Sequence, residues 1–251
     1  MVKNYRTIQH WDQWLTHDLG ACLLETEKQF LLHILADRYG KHAVLIGVPH
    51  QHDLLKCSIM SNQVILTPLI NKHKHEKCIE SEYYNLPVTP GSVDLVLLPH
   101  TLEFLDNPRQ LLVEACRMVK PEGLIIIFGF NPISLWGLKK WWVKSKDIPW
   151  SGSFIPTNKV KNWLQLADFK LVKQDMLVFR PPIAHQATYQ KLKFLEWLGK
   201  KIIAPLGGVY VLTAQAKTIP LTPIKLHWKQ KLSALHATLP GPTMQSSIEK
   251  K

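Results

Sequence analysis

The side chains able to do chemistry in this 251-residue chain fall into a few separate groups. His100 stands in "LPHTLEF", directly after an apolar run. An imidazole titrates near neutrality, so His100 could take a proton from a substrate; it could equally fill a strand end and hydrogen-bond the backbone. His50 and His52 precede Cys57, and His73 and His75 precede Cys78. Such residues bind zinc, yet neither cluster has the Cys-x-x-Cys spacing of a closed structural site, so no metal is assigned and a solvated His-rich loop is expected. The third group is "LWGLKKWWVK", with Trp136, Trp141 and Trp142 among Lys139, Lys140 and Lys144. Aromatics interleaved with lysines can stack on bases and meet phosphates, sit at a lipid interface, or line and solvate one side of a domain. There is no Gly-x-Ser-x-Gly elbow, phosphate-binding Gly-Lys-Ser/Thr loop or His-Glu-x-x-His helix, so hydrolase, nucleotide-triphosphatase and zinc-protease readings lack support.

Positioning these groups requires a sheet. Residues 93–98 form a short apolar run behind a Pro-Gly turn, and residues 124–128 form another behind Pro121-Glu122-Gly123. Both are rich enough in Val and Ile to be strands buried on both faces. Between them Asp106 and Asn107 offer a cap, Pro108 suits a first helical turn, and Leu111, Leu112, Ala115 and Val119 form one stripe before Pro121 ends the helix. Parallel strands joined this way make a right-handed crossover, and ligands then sit beyond the carboxyl ends of the strands. Pro99, His100, Thr101, Leu102 and Glu103 are thereby placed at the rim.

The chain on either side extends this unit. Residues 1–20, with Trp11 and Trp14, suit a covering helix, and residues 23–39 an amphipathic one ended by Gly40. Strands are expected at 43–48 and 63–66, a helix at 158–167, and strands at 169–179 and 209–214. A basic helix striped by Leu192, Leu195, Leu198 and Ile202 falls between the last two. Past Lys217, prolines lie among polar and basic residues without a core-forming period, which reads as a mobile tail. The expected division is therefore covering helices at 1–42, one α/β domain at 43–215 and a basic tail at 216–251.

Composition narrows the partners. A formal net charge of +12 makes nucleic acid, phosphorylated small molecules or a membrane surface plausible, and much of the excess lies from Lys139 onward. No apolar run is long enough to span a bilayer, Asp12 and His17 stand where a signal peptide would be apolar, and the four cysteines show no disulfide framework. A cytoplasmic protein is expected.

The run "LPVTPGSVDLVLLPHTLEFLDNPRQLLVEACRMVKPEGLIIIFGF" resembles the central half of class I S-adenosylmethionine-dependent methyltransferases. With "GFNPISLWGLKK" and "KTIPLTP" it is similar to a bacterial subgroup of methyltransferase-domain proteins. The resemblance implies a Rossmann-like seven-stranded α/β fold with strand order 3-2-1-4-5-7-6, the seventh strand antiparallel, and helices on both faces. It also implies S-adenosylmethionine as cofactor and an unidentified methyl acceptor. On this pattern Gly47 and Val48 in the turn after the first strand, Glu82 beyond the third, and Pro99, His100 and Thr101 after the fourth are the cofactor-binding candidates, with His100 as the catalytic one. The turn departs from the family pattern, keeping one glycine and adding Pro49, and Thr67-Pro68 stands where a ribose-binding carboxylate is usual. Phe130-Asn131-Pro132 follows the fifth strand rather than the fourth and so is not the motif of amino-methylating enzymes. The departures motivate the alternative of a non-catalytic binding or scaffold module, with the Trp-rich helix and basic tail contacting nucleic acid or another polyanion.

Overall fold

The computed structural model describes residues 2–69, 77–143, 148–182 and 206–218. The basic helix at 192–202, the tail past 218, and His73, His75 and Lys144 lie outside the described residues. The elements run α1 (Val2–Trp14), α2 (Asp18–Leu35), β1 (His42–Ile46), α3 (His52–Leu55), β2 (Asn62–Thr67), β3 (Cys78–Glu80), β4 (Val93–Pro99), α4 (Pro108–Met118), β5 (Val119–Phe130), α5 (Leu135–Val143), α6 (Thr157–Leu166), β6 (Phe169–Leu177) and β7 (Val209–Ala216). The strands form one seven-stranded sheet in the order β3-β2-β1-β4-β5-β7-β6. β7 is antiparallel to both β5 and β6, and the other pairings are parallel.

Every residue of β4 is buried: its Val, Leu and Pro side chains suit the interior of parallel-paired strands, and Asp94 is satisfied by partners described below. The following crossover is locally specified. Asn107 caps α4 by accepting from the Gln110 N–H at 3.4 Å, Pro108 occupies the first turn, and Leu111, Leu112, Ala115 and Met118 face the core. The helix stops at Met118, before Pro121. Val119 already pairs with Val93, and the register then slips so that Leu124 faces Leu95. Pro121 has no N–H to give a ladder, so it sits within this irregular stretch of strand rather than ending the helix.

Asp94 explains a second boundary. Its carboxylate accepts from the backbone N–H groups of Lys41 and His42 at 3.1 and 3.0 Å and pairs with the Lys120 ammonium. Gly40 packs so close that a β-carbon there would lie 2.8 Å from the Asp94 side chain. The chain therefore leaves the helix at Leu35, earlier than expected, to bring Lys41 against this carboxylate. Burial pushes the Asp94 carboxyl upward, but Lys120 and the two N–H groups outweigh it and hold it below the usual carboxylate range. A depressed folded value means that this stabilisation is present above the ordinary carboxylate range and is lost as pH falls through the folded value. Asp94→Ala should lower unfolding free energy by about 1.5–3 kcal/mol, the scale of a hydrogen bond to a charged group. Urea unfolding of the variant at neutral pH checks this, and the difference from the parent should shrink in acid.

Candidate functional site

The carboxyl ends of β1, β2, β3 and β4 meet the N-terminal helix. The chain after β1 enters Gly47-Val48-Pro49 and a short helical turn, Pro49–Gln51, that continues into α3. Gln51 is fully buried and turns back into the loop. Its Oε1 accepts from the Val48 N–H at 3.0 Å, and its Nε2 donates to the Pro99 carbonyl at 2.9 Å. A β-carbon on Gly47 would lie 2.3 Å from Gln51 Oε1, so a side chain here would have to displace the Gln51 amide. The Gly47 carbonyl accepts from the Tyr83 hydroxyl at 3.0 Å, and the Ile46 carbonyl accepts from Thr101 Oγ1 at 2.6 Å. Gly47, Val48, Pro99, His100 and Thr101 thus come together as one buried cluster. Asp12 ties α1 to the same turn, accepting from the His50 N–H at 3.0 Å and pairing with His50 Nδ1 at 2.8 Å.

His100 lies at the end of β4 with φ 55° and is fully buried. Its Nε2 is 2.6 Å from Glu27 Oε1, and its Nδ1 is 3.4 Å from Glu103 Oε1. Glu103 Oε1 also accepts from the Phe130 N–H. Trp11, Phe104 and Phe130 enclose the group. The other oxygens, Glu27 Oε2 and Glu103 Oε2, are buried with no hydrogen-bond partner among the described residues. Burial pushes the imidazole down, but the two carboxylates overcome it and raise its pKa to about 10. At neutral pH His100 is an imidazolium.

Glu82 is separate from this cluster. It lies on the wall of a cavity of about 510 Å³ with Tyr5 and Ile8 of α1, Pro68 after β2, Tyr83, and Leu105 after β4. Glu80 and Asp106 add carboxylates to the same wall. The volume falls within the roughly 300–1,000 Å³ of small-molecule sites. Tyr83 joins the two regions, bordering the cavity while its hydroxyl holds Gly47. His50 and His52 sit on helical turns rather than a free loop, and His52 lies 3.1 Å from Asp53. Among the described residues no group of three or more His, Cys, Asp or Glu could hold a metal ion.

Residues 48–127 match the family model described as "Methyltransferase domain". The chain is 32% identical over 188 residues to the uncharacterized protein YafS of Escherichia coli (strain K12), covering 73% of this chain and 72% of YafS. The chain belongs to the class I methyltransferase family. A SAM-dependent methyltransferase from Thermotoga maritima shares the fold with a TM-score of 0.61 at 19% identity, over 84% of this chain and 97% of that one. The N-methyltransferase NodS from Bradyrhizobium japonicum WM9, solved with S-adenosyl-L-homocysteine, aligns with a TM-score of 0.58 at 10% identity, over 86% and 100% of the respective chains. The family implies S-adenosylmethionine as cofactor and some methyl acceptor.

Sequence reasoning named Glu103 only as a rim residue and did not find Gln51, Tyr83 or Glu27. Gln51 follows Gly47 by four positions in a segment with no regular period. Glu27 looks like the polar face of an amphipathic helix, and nothing local marks it as the partner of a histidine 73 positions away.

The raised value of His100 fixes the sign of a pH effect. Between about pH 6.5 and 10 the folded chain keeps a proton that the unfolded chain has released, so this contribution is whole below 6.5 and lost as pH rises towards 10. Histidine NMR at about pH 8, above the ordinary imidazole range, should still show one protonated ring, absent in His100→Asn. A neutral ring there would show that the pair with Glu27 is not ionic.

Proposed function

We propose that the chain is an S-adenosylmethionine-dependent methyltransferase that binds the cofactor's adenosyl end in the cavity between α1 and the β2–β3 rim. The observation that carries this reading is the cavity itself. It has mainly apolar walls, it borders Glu82, and it opens at the carboxyl ends of parallel strands, where this fold binds ligands. In this reading Glu82 accepts from the adenine amino group, and Tyr83, Leu105 and Ile8 cover the apolar ring. Pro68 leaves the end of β2 without a carboxylate, and Glu80 and Asp106 are the acidic groups within reach of the same wall.

The methionine end fits less well. The Val48 N–H and the Pro99 carbonyl, backbone groups that could meet it, are already engaged by Gln51. Binding must displace that side chain, so we infer weak affinity. When bound, the cofactor supplies a methyl activated by its positive sulfonium, and the protein's task is then chiefly to align the acceptor and exclude water. His100, charged and buried, has no free lone pair with which to accept a proton. It positions α2 and the β4 rim instead. The acceptor is unassigned.

A non-catalytic binding module is the second reading, favoured by the same filling of the turn by Gln51. Titration with S-adenosylmethionine and S-adenosylhomocysteine separates the two, because a ligand that binds only the folded state must raise its melting temperature. Heat and a thermal shift are expected; neither, at millimolar ligand, would leave the binding-module reading. Glu82→Gln should lose about tenfold to hundredfold in affinity, the roughly 1.5–3 kcal/mol of a charge-assisted hydrogen bond, with the melting temperature unchanged. Unchanged affinity would place adenine elsewhere. Gln51→Ala should do the opposite on both counts, destabilising the fold by about 1–3 kcal/mol through its orphaned partners while tightening S-adenosylhomocysteine. Calorimetry beside urea unfolding reads both effects.

A further inference from the structure

We propose that α5 docks this domain onto the surface of an anionic lipid bilayer. The helix presents two faces of different character. On one, Trp136 is fully buried and its Nε1 donates to the Arg180 carbonyl at 3.1 Å, while Phe130 and Trp150 stack against its ring. The helix is therefore held firmly by that face. The other face is bare: Leu135, Leu138, Trp141 and Trp142 are 48%, 51%, 78% and 82% exposed, and Ile133 just before the helix is 73% exposed. Positions 135, 138 and 142 fall on one helical stripe and 141 stands beside it. Large apolar side chains gathered on one exposed strip, rather than scattered singly, mark a surface that something covers.

The segment of sequence that carries the strip is strongly basic, which points to an anionic covering partner. From Asn131 to Ala167 the sequence carries Lys139, Lys140, Lys144, Lys146, Lys159 and Lys161 against the single acid Asp147, within a chain of net charge +12. The lysines inside the helix are turned off the strip. Lys139 Nζ donates to the Pro182 carbonyl at 2.8 Å and lies 4.3 Å from the Trp150 ring centre, and Lys140 lies over Phe154. An exposed apolar strip in so basic a segment of sequence suits acyl chains below anionic headgroups. Nucleic acid fits less well, because Ile133, Leu135 and Leu138 neither stack on bases nor reach phosphates. No helix among the described residues is long and apolar enough to cross a membrane, so attachment through α5 is peripheral. The helix begins just after β5, at the rim of the sheet that also bears the cavity. Docking thus turns that rim towards the bilayer. This inference does not depend on the methyl-transfer reading.

The test uses the full chain with vesicles of phosphatidylglycerol and phosphatidylethanolamine, and with vesicles of phosphatidylcholine alone, at about 0.1 M salt. Co-sedimentation with the anionic vesicles, a blue-shifted tryptophan emission and protection from an aqueous quencher are expected. Trp141→Ser/Trp142→Ser should weaken vesicle binding by about tenfold or more with the same melting temperature. If that variant loses its fold, the single Leu138→Ser, read by quencher protection, replaces it. The proposal is overturned by failure of the parent to bind anionic vesicles or by undiminished binding of a folded variant. It is equally overturned if the tryptophan emission shifts on adding RNA, or on self-association seen by sedimentation, and not on adding vesicles.

Discussion

The ion pair between His100 and Glu27 is fully buried, and the rim that carries the candidate site is assembled around it. Taking such charges out of water costs several kcal/mol per ion, so the pair persists only where the surrounding elements hold both partners in place. Those elements come from distant parts of the chain. Glu27 comes from α2 and His100 from the end of β4, while Glu103 follows in the next turn and takes the Phe130 N–H at the end of β5. Trp11 packs over the imidazole with ring centres 5.5 Å apart, which brings α1 down on the cluster. Once α1 is fixed there, Tyr5 and Ile8 reach the cavity wall and Asp12 meets His50. The shape of the cavity is therefore set by a charge buried beneath the helix that roofs it.

Much of the framework is legible in sequence because its signals are local. The strand, cap, helix and strand of β4, α4 and β5 are each marked by an unbroken apolar run, a capping residue or a 3.6-residue stripe. α5 begins behind Asn131 and Ser134, and Ser134 Oγ accepts from the Gly137 N–H at 3.2 Å, a cap marked in the sequence. The strand order came from the family resemblance, because periodicity finds strands without ordering them. Boundaries fail where a distant contact decides them. Gly40 looks like a helix stop, but the Asp94 carboxylate draws the chain out of α2 four residues earlier. Pro121 looks like another, but pairing of Val119 with Val93 has already claimed the chain for β5.

The site is less legible for the same reason. A carboxylate on the polar face of α2 and a glutamine after a proline have ordinary solvated readings. Only the tertiary fold reveals that both are buried and that each satisfies groups far away in sequence. A buried backbone N–H or carbonyl must find a partner, and in this turn a side chain of the same chain supplies it. Gln51 answers both the Val48 N–H and the Pro99 carbonyl with one planar amide.

That engagement of the turn by a side chain sets an energy scale for the methyltransferase reading. A cofactor whose methionine end reached the Val48 N–H would compete with bonds the protein already makes, and each such bond has a net worth of about 1 kcal/mol. Displacing both costs about 2 kcal/mol, or roughly 30-fold in affinity, unless the released amide finds a new partner. A penalty of that size is a threshold and not a block. In that reading it leaves the cavity beside Glu82 to supply most of the binding, and it makes occupancy depend on whether α1 yields, because Asp12 holds His50 beside the same amide.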